Sequence, residues 1–286
     1  MFRNRAWMMG LVLPWLVGCS SVRLTYSQGP TLAYWWLDGY TDFSSEQAPR
    51  VKSALDEWFK WHRATQLTDY AAQLVAAQRL AVDNITPGQV CRFVQVAELR
   101  FARAFEPAVA PAAEIVRAFS PAQIRHLEQR YNKGNDEWQR DHLQRTVADR
   151  REAAQKRWVD RAESIYGTLD DAQRALVATG LEQSPYDPKA WLDERRARQQ
   201  DTLRTLRQLL ADRADQASTE AALRALSVHL VDSPRADYRA LKDRADQAQC
   251  ALVAQLHNTT SAAQRQRAVR QLKSWEDDLR ALAGPR

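Results

Sequence analysis

Apolar residues recur at helical spacing along the chain. One stripe consists of Val51, Leu55, Trp58, Phe59 and His62, and another of Val269, Leu272, Trp275, Leu279 and Leu282. Steps of three and four residues place each set on one face of a helix, whereas a half-buried strand alternates every second residue. The patterns therefore predict amphipathic helices.

Five short segments mark where helices begin. In each, Ser, Thr or Asp is followed three residues later by Gln, which is the pattern of a capping box: the first side chain and the Gln each bond the other residue's backbone N–H. The predicted caps are Ser44, Thr86, Ser120, Asp170 and Ser261. Pro49 lies further inside its helix than Pro87 and Pro121 do, so the first of these helices is expected to start late.

These signals predict an all-α protein of eight to ten helices, in an extended or curved helical bundle with no sheet. The charged segment from Ile124 to Ile165 is expected to form one long helix or two collinear helices. Uneven spacing of the caps argues against a regular solenoid. Gly and Pro residues between 167 and 187 indicate a sub-boundary within a helical domain of residues 31–286.

The amino terminus has the layout of a signal peptide. Arg3 and Arg5 precede an apolar run, residues 6–17, which is shorter than the roughly 20 residues that span a bilayer. The sequence Leu-Val-Gly-Cys that ends at Cys19 resembles the lipobox of bacterial lipoproteins. The alternative is a buried helix at the amino terminus, with Cys19 in the core.

The lipobox resemblance implies a cellular address. It implies that residues 1–18 are removed, that Cys19 is lipidated, and that a short tether over residues 19–30 joins it to the folded domain. Ser20 stands where Asp would imply retention at the inner membrane. The expected location is therefore the outer membrane, lipid-anchored and facing the periplasm.

The net charge limits the kinds of molecule that are expected as partners, and the cysteine content raises the question of a disulfide bond. Loss of residues 1–18 removes Arg3 and Arg5 and lowers the formal charge from +6 to +4 over 268 residues. In the periplasm this excludes nucleic acid as a partner and fits either anionic headgroups and lipopolysaccharide phosphates or an ordinary solvated surface. Cys91 and Cys250 would lie where disulfides persist, so they form either one bond or two unrelated thiols.

The candidate functional cluster lies in two aromatic-rich segments. It consists of Trp36, Asp38, Tyr40, Asp42 and His62. Two carboxylates four residues apart can share a helical face and, with a His, can carry acid–base chemistry. The structural interpretation is that Trp35, Trp36 and Tyr40 pack the first helix on the bundle, Asp42 helps to turn the chain, and His62 completes its amphipathic stripe.

Sequence motifs for catalysis and metal binding do not occur in the chain. The five His residues include no pair three or four apart, and no nucleophile elbow or phosphate-binding loop occurs. We therefore expect no enzyme, no catalytic or metal-binding residues and no cofactor.

Two resemblances carry functional content. The segment Trp36–Gln47, the triplet Trp61–Arg63 and the segment Phe119–Arg130, together with the lipobox, resemble an uncharacterised family of proteobacterial lipoproteins, a domain of unknown function. The repeated capping units are also similar to the Leu-Thr-x-x-Gln units of periplasmic stress chaperones, helical proteins that hold unfolding clients without nucleotide.

The second resemblance implies a non-enzymatic protein-binding role, as a chaperone or assembly factor for unfolded or envelope proteins, on a membrane anchor. One alternative is a structural envelope lipoprotein that contacts peptidoglycan or lipopolysaccharide. Another is a hydrolase that uses Asp38, Asp42 and His62. The sequence leaves the oligomeric state open.

Overall fold

The protein is all-helical over the residues that its structure, a computed structural model, describes: 21–143 and 146–284. Within these ranges the chain forms twelve α-helices and no strand. The first six are α1 Ser21–Ser27, α2 Gly29–Thr41, α3 Gln47–Thr65, α4 Leu67–Leu80, α5 Pro87–Arg117 and α6 Pro121–His142. The others are α7 Val147–Tyr166, α8 Asp171–Glu182, α9 Pro188–Ala211, α10 Gln216–Val231, α11 Ala236–Thr259 and α12 Ala262–Ala283.

The all-α prediction is confirmed, but the expected number of helices was too low. The stretch expected as a tether is largely helical, because α1 and α2 occupy it from Ser21 onwards. A single residue, Gln66, separates α3 from α4. Caps without Gln also start helices: Thr146 caps α7 with Asp149, and the Asp215 side chain at the start of α10 accepts from a backbone N–H.

The charged segment after Ile124 is divided between α6 and α7. The two helices pack on different partners, α6 against α2 and α9, and α7 against α8 and α12. Helices on both sides of the expected sub-boundary also contact one another, since α12 lies along α4 while α10 and α11 pack on α5. The described helices therefore share their packing across residues 167–187.

The predicted capping boxes explain five of the twelve described helix starts. Thr86, Ser120, Asp170 and Ser261 each make both reciprocal bonds. Ser44 and Gln47 exchange the same two bonds, at 2.9 and 3.3 Å, although α3 begins only at Gln47. The late start agrees with the expectation from Pro49.

Four of the capping glutamines also bond to one another in pairs. The amide nitrogen of Gln123 donates to Gln47 Oε1 at 2.6 Å, and that of Gln47 donates back at 3.3 Å. Each also donates to a carbonyl two residues before the other's cap, Gln47 to Ala118 and Gln123 to Asp42. The pair thus joins the start of α3 to the start of α6.

The same arrangement recurs at the starts of α8 and α12. Gln173 and Gln264 donate to each other, both at 2.9 Å. Gln173 also donates to the Thr259 carbonyl, and Gln264 donates to that of Thr168. Each of these carbonyls again lies two residues before the other partner's cap, so one local motif is used twice to join distant segments.

Two buried clusters lie beside these junctions. One joins α5, α6 and α9 through Val116, Ile124, Leu127, Leu203 and Leu206. The other joins α7, α8 and α11 through Val159, Ala162, Leu169, Val177 and Leu256. Burial of such side chains stabilises each junction by about 1.5–3 kcal/mol per large residue.

Candidate binding groove between α3 and α5

A long apolar groove runs between α3 and α5. Its volume is about 870 Å³, and residues of α2, α4 and α12 complete its walls. The α3 wall is the stripe predicted from sequence, Val51, Leu55, Trp58, Phe59 and His62. A stripe of this kind usually faces a core. Here only Val51 is fully buried, and its neighbours line an open cleft.

Helix α5 forms the opposite wall. Its lining positions are Phe93, Ala97, Arg100, Phe101, Ala104, Phe105, Ala108, Pro111, Ala112 and Ile115. Steps of three and four residues keep these positions on one face, and at 1.5 Å per residue they extend over about 33 Å. The remainder of α5 packs against α10 and α11. The helix therefore has apolar surface on two sides, one of them uncovered.

The groove remains open to solvent at large aromatic side chains. Phe101 is 61% exposed and Trp36, on the α2 wall, is 63% exposed. Small alanines alternate with these aromatic residues along α5, so a second chain could approach its backbone closely. A contiguous exposed apolar surface of this size is typical of an interaction site.

Few polar groups reach the groove, and those of Trp58 and Arg100 are bonded within the protein. The indole N–H of Trp58 donates to the Ala104 carbonyl at 2.8 Å and so joins the two walls. The Arg100 guanidinium bonds both carboxylate oxygens of Asp69, one of them at 3.0 Å. These bonds lower the pKa of Asp69. The cation in the lining is therefore paired with a carboxylate.

His62 lies at the end of the groove near α1. Its ring stacks on Trp58 at 4.7 Å between centroids, and its Nδ1 lies 2.8 Å from the hydroxyl of Tyr26. Burial lowers the pKa of His62. At neutral pH the imidazole is therefore uncharged and contributes an aromatic face to the lining.

The predicted functional cluster is divided between two places. Trp36 and His62 line the groove, whereas Tyr40 packs on Tyr131 beside the α5–α6–α9 core. Asp38 Oδ1 accepts the backbone N–H of Phe43 at 3.0 Å. Asp42 ends α2 in a left-handed conformation, with φ of 51°.

The hydrogen bond to Asp38 and the left-handed backbone of Asp42 therefore shape the α2–α3 turn. The side chain of His62 bonds to Tyr26 instead.

Tyr40 and Asp42 agree with the structural interpretation of the cluster. Trp35 and Trp36, which that interpretation packs on the bundle, are instead 64% and 63% exposed. The α5 wall was missed as a site because its apolar spacing is the same as that of a core-facing helix.

The two downstream cysteines form a disulfide. Cys91 on α5 and Cys250 on α11 are bonded, with Cα atoms 5.5 Å apart. Of the two alternatives that the sequence left open, one bond or two unrelated thiols, the structure shows the bond. Cys19 and the whole predicted signal peptide lie outside the described residues, so lipidation stays a prediction.

Residues 21–143 and 146–284 contain neither a metal-binding cluster nor a membrane-spanning helix. No cluster of three or more His, Cys, Asp and Glu is arranged there to hold a metal ion. No helix in the same ranges is both long and apolar enough to cross a bilayer.

Comparison with known proteins gives a family but no activity. The chain matches DUF6279, a family of unknown function, over residues 39–239. That range contains α3, α4 and α5, and with them most of the groove. No curated protein and no solved structure matches the chain. Because the match covers well over half of its length, the chain belongs to DUF6279.

Proposed function

We propose that this protein is a lipid-anchored periplasmic lipoprotein of the outer membrane that binds apolar segments of other proteins in the α3–α5 groove, as a chaperone or assembly factor. The observation that carries the proposal is the groove itself, open and apolar over about 33 Å of α5. Its paired cation and uncharged histidine make it a poor site for a small charged substrate.

The dimensions of the groove suit a protein segment. An amphipathic helix that binds in a groove presents apolar residues at steps of three and four, which is the spacing of the α5 lining. Alanines at positions 97, 104, 108 and 112 leave room for the backbone of such a segment. Aromatic residues beside them supply most of the contact area that such binding needs.

Light scattering from an unfolded periplasmic protein tests the proposal. The chain from Ser20 onwards retains all twelve described helices, and we expect it to suppress aggregation without ATP at an equal molar ratio. Phe101→Ser removes an exposed aromatic residue of the groove and should weaken suppression by about tenfold in effective concentration. Val228→Ser, an equally exposed change on α10, is the matched control and should act like the unchanged protein.

Two results would contradict the proposed function. One is undiminished scattering with protein whose circular dichroism shows the full helical content. The other is equal suppression by Phe101→Ser and Val228→Ser, because the groove would then make no contribution beyond that of any exposed apolar residue.

A further inference from the structure

Exposed apolar side chains are concentrated at the start of the described chain. Within thirteen residues, four large ones are exposed: Leu24 at 63%, Leu32 at 43%, Trp35 at 64% and Trp36 at 63%. Leu32, Trp35 and Trp36 lie three and four residues apart, so they share one face of α2. These four residues are referred to below as the amino-terminal face.

Other positions of α2 contact the body of the protein. Gly29 lies against the ring of Phe59 on α3, and Tyr40 packs on Tyr131 of α6. The one charged residue in α2, Asp38, accepts the backbone N–H of Phe43. Helix α2 is therefore held on the body by one side and presents an uncharged apolar side outward.

The position of this face in the chain indicates what covers it. Cys19, the predicted lipid attachment point, precedes Leu24 by five residues, a reach of at most about 18 Å. With the lipid on Cys19, the chain leaves the membrane directly into α1 and α2.

The residue types fit a bilayer surface. Trp and Leu are the side chains by which interfacial helices insert into the headgroup region, because the indole has an apolar body and a polar N–H. The two or three acyl chains that the lipobox resemblance implies on Cys19 would hold the protein at the membrane by themselves. An apolar face so close to the anchor can fix how the body lies on the bilayer.

We propose that the amino-terminal face is a membrane-binding surface that seats the body on the lipid bilayer beside its anchor. The inference goes beyond protein binding in the groove and rests on the membrane anchor of the proposed function. Because Trp36 belongs to both this face and the groove wall, the groove opens next to the bilayer. Client proteins would then bind to the groove at the membrane surface.

Vesicle flotation with the unanchored chain from Ser20 to Arg286 tests the face alone. We expect it to float with phosphatidylcholine vesicles, and the double variant Leu32→Ser/Trp35→Ser to lose about tenfold in partitioning. Trp36 is left unchanged so that the groove keeps its lining. Val147→Ser/Val228→Ser, which alters two equally exposed residues on α7 and α10, should float like the parent chain.

The outcomes separate the face from the anchor and from the groove. Failure of the parent chain to float, or equal flotation of the parent and the Leu32→Ser/Trp35→Ser variant, would overturn the proposal. A third result would also overturn it: the Leu32→Ser/Trp35→Ser variant binds vesicles normally but no longer suppresses aggregation. The amino-terminal face would then be part of the site that binds clients. Palmitate labelling of the full chain and its Cys19→Ser variant in cells tests the anchor separately, and a negative result there with flotation retained would reject the anchor alone.

Discussion

At the scale of single residues, the capping glutamines have two different roles. Gln89 bonds back to its own cap, Thr86. Gln47 and Gln123 make the same local bonds and also join two segments that lie 76 residues apart. The capping role is local, so the sequence alone predicted it. The pairing could not be predicted in this way, because the five units are chemically equivalent until the fold brings two of them together.

Because of this difference, replacing Gln by Ala should lower stability more at position 123 than at position 89. Gln123→Ala removes the cap bond, the bond to the Asp42 carbonyl and the two bonds to the buried Gln47 amide, which keeps Ala118 and Ser44 as partners. We therefore expect a loss of ~2–4 kcal/mol in the free energy of unfolding. Gln89→Ala, the matched control at a partly exposed cap, should cost about 1 kcal/mol or less. Urea unfolding followed by circular dichroism measures both, and equal losses would show that pairing adds nothing.

At the scale of helices, the capping boxes located five of the twelve described starts, but the sequence did not give the role of each helix face. The α3 stripe from Val51 to His62 is the one predicted, and it lines a groove rather than a closed core. Apolar periodicity reports that a face avoids water in the working state of a protein. It does not report whether another helix of the same chain or an external partner covers it.

Two helical glycines differ in the space around them, so replacing each by Ala should change stability in opposite directions. A Cβ at Gly180 in α8 would lie 2.5 Å from a methyl carbon of Leu252, a buried residue on α11. Gly180→Ala is therefore expected to lower stability by ~1–2 kcal/mol, despite the better helix propensity of Ala. Gly39 in α2 has no such neighbour within 4 Å, and Gly39→Ala should raise stability by ~0.5–1 kcal/mol.

Thermal or urea unfolding of the two Ala variants checks this comparison. A gain in both would mean that Leu252 moves aside at little cost. A loss in both would mean that Gly39 is needed for a reason other than space.

At the scale of the whole molecule, the disulfide joins the two halves of the chain. It bonds α5, which forms one wall of the groove, to α11 across 159 residues of sequence. On the chain-entropy account, closing a loop of this length stabilises the fold by about 5 kcal/mol. It fixes the face of α5 opposite the groove and so supports the groove wall.

The double variant Cys91→Ser/Cys250→Ser should therefore unfold at a much lower urea concentration, with a loss of about 5 kcal/mol. Dithiothreitol should lower the midpoint of the unchanged protein to that of the variant and have no effect on the variant itself. Titration of free thiols in the unreduced chain from Ser20 onwards gives a second check. Two reactive thiols after unfolding without reductant would contradict the bond.

The sequence by itself determined what depends on near neighbours in the chain. Helical class, the capped starts and the α3 stripe all follow from contacts within a few residues, where spacing and side-chain chemistry decide the outcome. The short helix α1, the separate start of α4 and the caps at Thr146 and Asp215 were missed because their local signals are weaker.

Only the tertiary structure decided which distant groups meet. It paired Gln47 with Gln123 and Cys91 with Cys250, and it separated His62 from the turn that Asp38 and Asp42 shape. It also left the α3 and α5 stripes facing an open groove and the α2 tryptophans facing outward. These outcomes depend on how the twelve described helices pack together, and a one-dimensional pattern constrains that packing only through the faces it makes apolar.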